Sequence, residues 1–197
     1  MNILGLTGPT GAGKGAVGAL LAQKGALIID TDRLAREVVE KGTPCLAAIT
    51  AHFGQDVLRE DGTLNRGALA AKVFADPAEK AVLEAITHPA IIARTHELLA
   101  ASDASLAVID APALFESGMD AICDTTLAVL APAAVRFARI LARDGISEEA
   151  AHLRMNAQPD DDFYRTRADH ILINDGDEAL LRERLWALLP TLWEEPV

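Results

Sequence analysis

Five short apolar runs punctuate the chain, and segments of helical periodicity fill the spaces between them. The runs are Ile3-Leu4-Gly5-Leu6, Ala26-Leu27-Ile28-Ile29, Leu106-Ala107-Val108-Ile109, Thr125 to Leu130 and His170-Ile171-Leu172-Ile173. Each is four to six residues long and unbroken by charge, the pattern of strands buried on both faces. The first helix is expected over Ala16 to Lys24, with Gly25 as its stop. From Arg33 to Ala101 the pattern is almost wholly helical. Gly42-Thr43-Pro44 starts a helix carrying Leu46, Ile49 and Phe53, Gly54 to Gly62 is a loop, and Asn65 caps the next helix. Asp76-Pro77 starts another, with Val82, Leu83 and Ile86 on its apolar stripe, and Pro89 is expected to interrupt it. A last helix is expected over Asp177 to Leu189, ahead of a frayed Glu194-Glu195-Pro196-Val197 tail.

Between the first strand and the first helix stands Gly8-Pro9-Thr10-Gly11-Ala12-Gly13-Lys14-Gly15. Strand, glycine loop, helix is the setting of a phosphate-binding P-loop. Glycines let backbone N–H groups curl around an oxyanion, and the helix start adds unpaired N–H groups and a positive dipole end. Lys14 supplies a mobile charge for the outer phosphates. The candidate nucleotide-binding residues are therefore Gly11, Ala12, Gly13, Lys14, Gly15 and Ala16. The residue after such a lysine is usually Ser or Thr, whose hydroxyl binds Mg²⁺. Gly15 and Ala16 offer no side-chain oxygen.

Acids close two of the strands. Asp30-Thr31-Asp32 lies where parallel sheets place their ligands, at a strand's C-terminal end. Asp30 reads equally well as a helix cap, whereas Asp32 faces the crevice beside the P-loop. Asp110 ends the third run in a Walker-B-like pattern and could hold an Mg²⁺ shell or simply cap the next segment. His88, just before Pro89, marks a junction where a side chain can be aimed, although a lone histidine is more often structural.

From Pro132 the chain turns arginine-rich. Arg136, Arg139 and Arg143 form a stripe about 60° wide on a helix turning ~100° per residue, with Val135, Ala138 and Ala142 opposite. Six arginines and no lysine fall between 136 and 167. They form either a solvated face balanced by Asp144, Glu148, Glu149 and Asp160 to Asp162, or a lid that brings guanidinium groups onto phosphates.

At 197 residues, half of them hydrophobic, the chain is long enough for one α/β unit with its own core. The formal net charge of -11 argues against nucleic-acid binding, so a phosphorylated substrate needs a local cation cluster. No run approaches the ~20 apolar residues of a membrane helix, and the N-terminus lacks the features of a signal peptide. Cys45 and Cys123 are isolated in sequence and are expected to be buried thiols in a reducing cytoplasm.

Taken in order, these landmarks resemble the dephospho-CoA kinase family over nearly the whole chain. The resemblance is carried by Leu6-Thr7-Gly8 before the P-loop, Asp30-Thr31-Asp32 (similar to the family's Asp-Ala-Asp), Ala35-Arg36, and Gly62-Thr63-Leu64 with Arg66. It continues through Ile86-Thr87-His88-Pro89, Asp110 to Glu116, Arg143-Asp144, the 154–158 segment, and Ala168-Asp169 through Asn174-Asp175-Gly176. Gly15-Ala16 departs from the family's Ser-Thr, and Ala113 stands where the family favours Leu.

The resemblance implies a P-loop NTPase-type parallel sheet flanked by helices, in one domain spanning 1–197. The core would be 1–31, 104–135 and 168–197, the inserted helical substrate lobe about 32–103, and the arginine-bearing helical lid about 136–167. It implies transfer of the ATP γ-phosphoryl group to the ribose 3′-hydroxyl of dephospho-CoA, with Mg²⁺. Lys14, Asp32, Arg139 and Arg143 would be catalytic, and Asp32, Arg36, Arg66 and His88 would meet dephospho-CoA. Asn174 and Asp175 would lie near the adenine, and Asp32 and Asp110 would hold the metal, through water. Two other readings stay open: another small-molecule kinase, such as a nucleoside monophosphate kinase, and a nucleotide-binding module without catalysis.

Overall fold

A computed structural model describes residues 1–193, so the expected frayed tail lies outside the described residues. The chain forms two compact units, residues 1–29 with 102–197 and residues 30–101.

The first unit is built on a five-stranded sheet. Its strands are β1 (Asn2–Thr7), β2 (Leu27–Asp30), β3 (Leu106–Asp110), β4 (Thr125–Leu130) and β5 (His170–Ile173). They lie in the order β2-β3-β1-β4-β5, so the chain winds outward from a central β1 in both directions. β1 pairs in parallel with β3 and β4, and β4 in parallel with β5. The register sets Leu6 beside Asp110 and Leu127, and Leu130 beside Ile173. The C-terminal ends of these strands therefore share one edge. The unbroken apolar runs are explained by burial: Leu4, Leu6, Val108, Leu127 and Val129 are all fully buried.

Two helices cover one face. α1 (Lys14–Gln23) contributes Val17, Leu20 and Leu21, and the C-terminal helix (Glu178–Leu192) contributes Leu181, Leu185 and Leu189. Each fully buried leucine is worth about 1.5–3 kcal/mol. The C-terminal helix runs three residues beyond the expected Leu189, through Pro190, because Leu192 and then Trp193 are buried in the same cluster. Polar ties set the strand starts. The Asp124 carboxylate accepts from Ile3 N–H at 2.7 Å, and Asp169 accepts from the N–H and hydroxyl of Thr126 at 2.9 and 2.7 Å.

The second unit holds α2 (Thr31–Glu37), α3 (Pro44–Phe53), α4 (Arg66–Ala75) and α5 (Pro77–Ala100). Every one starts on a side-chain cap. Asp30, Thr43, Asn65 and Asp76 accept from the N–H groups of Arg33, Leu46, Ala68 and Ala78 at 2.8–3.2 Å, each cap worth about 1 kcal/mol. The expected loop after Gly54 contains a 3-10 turn over Gln55–Val57 and an isolated antiparallel bridge between Leu58 and Leu64. Pro89 does not end its helix: α5 runs unbroken for 24 residues. Proline removes one donor to the carbonyl four residues back, a cost of about 3 kcal/mol. Ile91 and Thr95, beyond the proline, are buried, and Thr95 donates to the Ile91 carbonyl at 2.9 Å. Packing of that second half holds the helix together.

Three further helices belong to the first unit: α6 (Ala133–Asp144), α7 (Glu148–Asn156) and α8 (Asp161–Arg165). With them, the C-terminal helix is α9.

Candidate active site

The loop from Gly8 to Gly13 lies at the C-terminal end of β1 and runs into α1. Its conformation is one that only glycine takes without strain. Gly13 is the residue before the helix and is left-handed, with φ 98°. A Cβ there would collide with the Asn174 side-chain amide, and one on Gly11 (φ 78°) would come within 2.7 Å of the Arg136 carbonyl oxygen. The glycines thus serve two ends. They free the loop's N–H groups, and they admit the start of α6 and the turn after β5 against the back of the loop. No side chain caps α1, so its positive end is open to an anion.

Asn174 follows β5 and continues its ladder, its N–H donating to the Leu130 carbonyl at 2.7 Å. It is 5% exposed, and its side-chain amide donates to the Ala12 carbonyl at 2.8 Å. Asn174 therefore holds the loop from behind. Asp175 is exposed and instead pairs with Arg184 at 2.6 Å.

Lys14, the first residue of α1, forms an ion pair with Asp110 at the end of β3. Both side chains are largely buried, at 18% and 14% exposure.

The arginine helix is rotated opposite to its apolar pattern. Ala138 and Ala142 are exposed, while Arg136 and Arg139 are partly buried, Ile140 is fully buried and Arg143 is exposed. Arg139 lies over the loop. Its guanidinium donates to the carbonyls of Gly11, Ala12, Asn174 and Gly176 and to the Asn174 side-chain oxygen, at 3.2–3.4 Å. These are long contacts, weak individually, and leave the group free to re-aim toward a stronger acceptor. Arg143 makes a two-point contact with Asp144 at 2.7 and 2.9 Å, and Arg154 joins the same carboxylate. These arginines hold the Asp144 carboxyl below the usual carboxylate range, and Asp144 in turn raises the Arg143 pKa.

The remaining expected residues lie in the second unit. Asp32 is in the first turn of α2 and Arg36 in its last turn, one helical turn apart and both exposed. Asp30 is the cap, so of the two acids only Asp32 is left without a structural task on that helix. Arg66 is exposed at the first position of α4, and His88 is half-buried within α5.

One contact was not anticipated from the residue types. The Thr10 N–H, at the tip of the loop, donates to the Gln158 side-chain oxygen at 2.8 Å. In the sequence, Gln158 stood out only as the last residue of a segment resembling the family.

Gly15 and Ala16 are exposed, and a Cβ on Gly15 would meet nothing within 4 Å. Among the described residues, no three His, Cys, Asp or Glu side chains gather as a metal cage.

Comparison with known proteins agrees with this geometry. The family model for dephospho-CoA kinase matches residues 2–179. A dephospho-CoA kinase from Anaeromyxobacter dehalogenans is 44% identical over 195 residues, covering 98% of this chain and 92% of the relative. A crystal structure from Thermus thermophilus superposes with a TM-score of 0.85 at 34% identity, covering 98% of each chain. A dephospho-CoA kinase from Campylobacter jejuni shares the fold, with a TM-score of 0.70 at 24% identity over 98% of this chain and 97% of its own. The chain belongs to the dephospho-CoA kinase family.

Proposed function

We propose that this protein transfers the γ-phosphoryl group of ATP to the ribose 3′-hydroxyl of dephospho-CoA, giving coenzyme A and ADP. The observation that carries the reading is the convergence of Lys14, Asp110 and Arg139 on an open glycine loop, in a chain of this family. Phosphoryl transfer asks the protein mainly for positioning and charge neutralisation, and both are provided for here. The N–H groups of Gly11, Gly13, Lys14 and Gly15 cradle the β- and γ-phosphates, while those of Ala12 and Ala16 donate to the Pro9 and Gly13 carbonyls and shape the loop. Lys14 exchanges its Asp110 partner for the outer phosphates. Arg139 exchanges long carbonyl contacts for phosphoryl oxygens, and Arg143, held by Asp144, adds a second guanidinium.

Asp32 orients the acceptor hydroxyl and takes its proton as the new P–O bond forms and the bond to the ADP oxygen breaks. Arg36, Arg66 and His88 contact dephospho-CoA. Asn174 and Asp175 lie on the nucleotide's adenine side, Asn174 acting through its hold on Ala12. Mg²⁺ would be held by Asp110 and Asp32 through water, and when bound it neutralises charge on the β- and γ-phosphates. Among the described residues no helix is long and apolar enough to cross a membrane.

The test is ADP release with ATP and dephospho-CoA, with ATP alone, and with ATP and nucleoside monophosphates. Release only with dephospho-CoA is expected. Turnover of monophosphates instead would point to a nucleotide kinase, and ATP binding with no release under any condition to a non-catalytic module. The role of Asp32 is tested by Asp32→Asn, which keeps shape but cannot accept the proton. Turnover should fall by about 10²–10⁴ with ATP affinity little changed. Loss of ATP affinity with turnover preserved would remove its role as base and leave Asp32 with a metal or structural role alone.

A further inference from the structure

Most N–H groups of a phosphate loop are left for the ligand, but the one at its tip is already taken. Thr10 N–H donates to Gln158 Oε1 across 148 residues of sequence. Gln158 is an unusually well-fixed partner. It comes just after Ala157, the residue that closes α7, and its own N–H donates back to the Met155 carbonyl at 3.3 Å. Pro159, which locks its own φ, comes next. Asp160 then caps α8, accepting from Phe163 N–H at 2.9 Å. The glutamine thus stands between two closed helix ends, with little backbone freedom.

A second tie fixes the same corner. Asp161, at the start of α8, pairs with Arg136 of α6 at 3.6 Å, and the Arg136 side chain is only 11% exposed. The Arg136 backbone is the surface against which Gly11 packs. The two ends of the loop's outer limb, Thr10 and Gly11, therefore rest on elements that Arg136 and Asp161 join. Across the limb, a backbone turn closes from Ala12 N–H to the Pro9 carbonyl at 3.1 Å.

We propose that Gln158 is a positioning residue for the ATP-binding loop. It pins the Thr10 N–H away from the phosphates and so holds the loop open for the N–H groups of the residues after it. This rests on the nucleotide reading of the loop given above. Gln158 touches neither nucleotide nor acceptor, and its effect is preorganisation of the loop. The consequence is selective: ATP affinity depends on Gln158, and acceptor affinity does not.

The experiment compares wild type, Gln158→Met, which keeps length without an acceptor, and Gln158→Glu, which keeps an acceptor oxygen. Amide hydrogen exchange at Thr10 reads the contact itself, and Mg·ATP titration with steady-state kinetics reads its effect. Gln158→Met should lose Thr10 protection and bind ATP about 3- to 10-fold more weakly, the worth of one neutral hydrogen bond, with KM for dephospho-CoA unchanged. Gln158→Glu should retain Thr10 protection. Equal ATP affinity in wild type and Gln158→Met would overturn the latch while leaving the nucleotide reading intact. So would equal Thr10 exchange in all three proteins, or a loss in Gln158→Met that falls alike on ATP and dephospho-CoA. A wild type that binds no ATP would overturn the nucleotide reading and this proposal with it.

Discussion

Lys14 and Gly15 are neighbours with opposite problems. Lys14 has a carboxylate partner in Asp110 before any nucleotide arrives, so its charge is neutralised at rest and the loop is not left with an unpaired buried cation. Lys14→Ala should leave the fold intact and lower turnover by a factor on the order of 10² or more, the scale of losing one transition-state charge contact. ADP release beside a circular-dichroism spectrum checks it, and near-wild-type turnover in a folded variant would sink the assignment. Gly15 lacks the hydroxyl that an Mg²⁺ shell would use, and water in that place costs up to about 2 kcal/mol of ordering. The open space around its Cβ position means that serine fits without any neighbour moving. Gly15→Ser should therefore lower the Mg²⁺ concentration needed for half-maximal ATP binding, without changing the acceptor. Superimposable Mg²⁺ titrations would mean that other oxygens already complete the shell. The P-loop and its missing hydroxyl were both legible in the sequence, because each depends only on residue type and local order. The Lys14–Asp110 pair was not, since it joins the start of α1 to the end of β3, far apart in sequence.

At the scale of elements, strands were easier to read than helices. The five apolar runs became five strands because central strands of a parallel sheet are buried on both faces, and no other element looks like that over so few residues. Helix caps were also local: Asn65 was foreseen from its place ahead of an apolar stripe. One reading failed where packing overrode local chemistry, and one choice between two readings needed the fold. Pro89 sits inside α5 because the burial of Ile91 and Thr95 beyond it outweighs one missing hydrogen bond. α6 turns Arg136 and Arg139, though not the exposed Arg143, toward the loop, and its start approaches the loop closely because Gly11 has no side chain. Alanines at 138 and 142 lose little by facing solvent. That rotation places Arg139 over the loop, which a solvated face would not do. Arg139→Lys keeps the charge but not the planar fork that spans several oxygens. It should lower kcat about tenfold or more while shifting ATP affinity less. Unchanged turnover at matched pH would mean that this helix face takes no part in the reaction.

At the scale of the whole molecule, a net charge of -11 surrounds a site built from cations. The sheet-bearing unit also holds two groups in their neutral forms, Cys123 half-buried and Tyr164 fully buried. Burial pushes the Cys123 thiol up to about 12, helped by the nearby charges of Asp120 and Asp124. Its sulfur lies directly behind Gly5 of β1, where a Cβ would come within 2.9 Å of it. Tyr164 is 1% exposed against Ala128 and Leu130 of β4. Burial first, then Glu116, raises its phenol to about 12, although Arg136 pulls the other way. The ordinary values are 9.0 and 10.0. Between those values and about 12 the folded chain keeps protons that the unfolded chain has lost. Unfolding then releases protons, so stability is fully present below pH 9.0 and falls as pH rises toward about 12. Urea midpoints should accordingly decline steadily above pH 9.0 in the wild type, and decline less steeply in a Cys123→Ala, Tyr164→Phe double variant. The chain has a single tyrosine, so its tyrosinate absorption reports one site. That band should appear together with the loss of circular dichroism. A band that titrates near pH 10.0 while the native spectrum persists would show that Tyr164 is not held neutral by the fold.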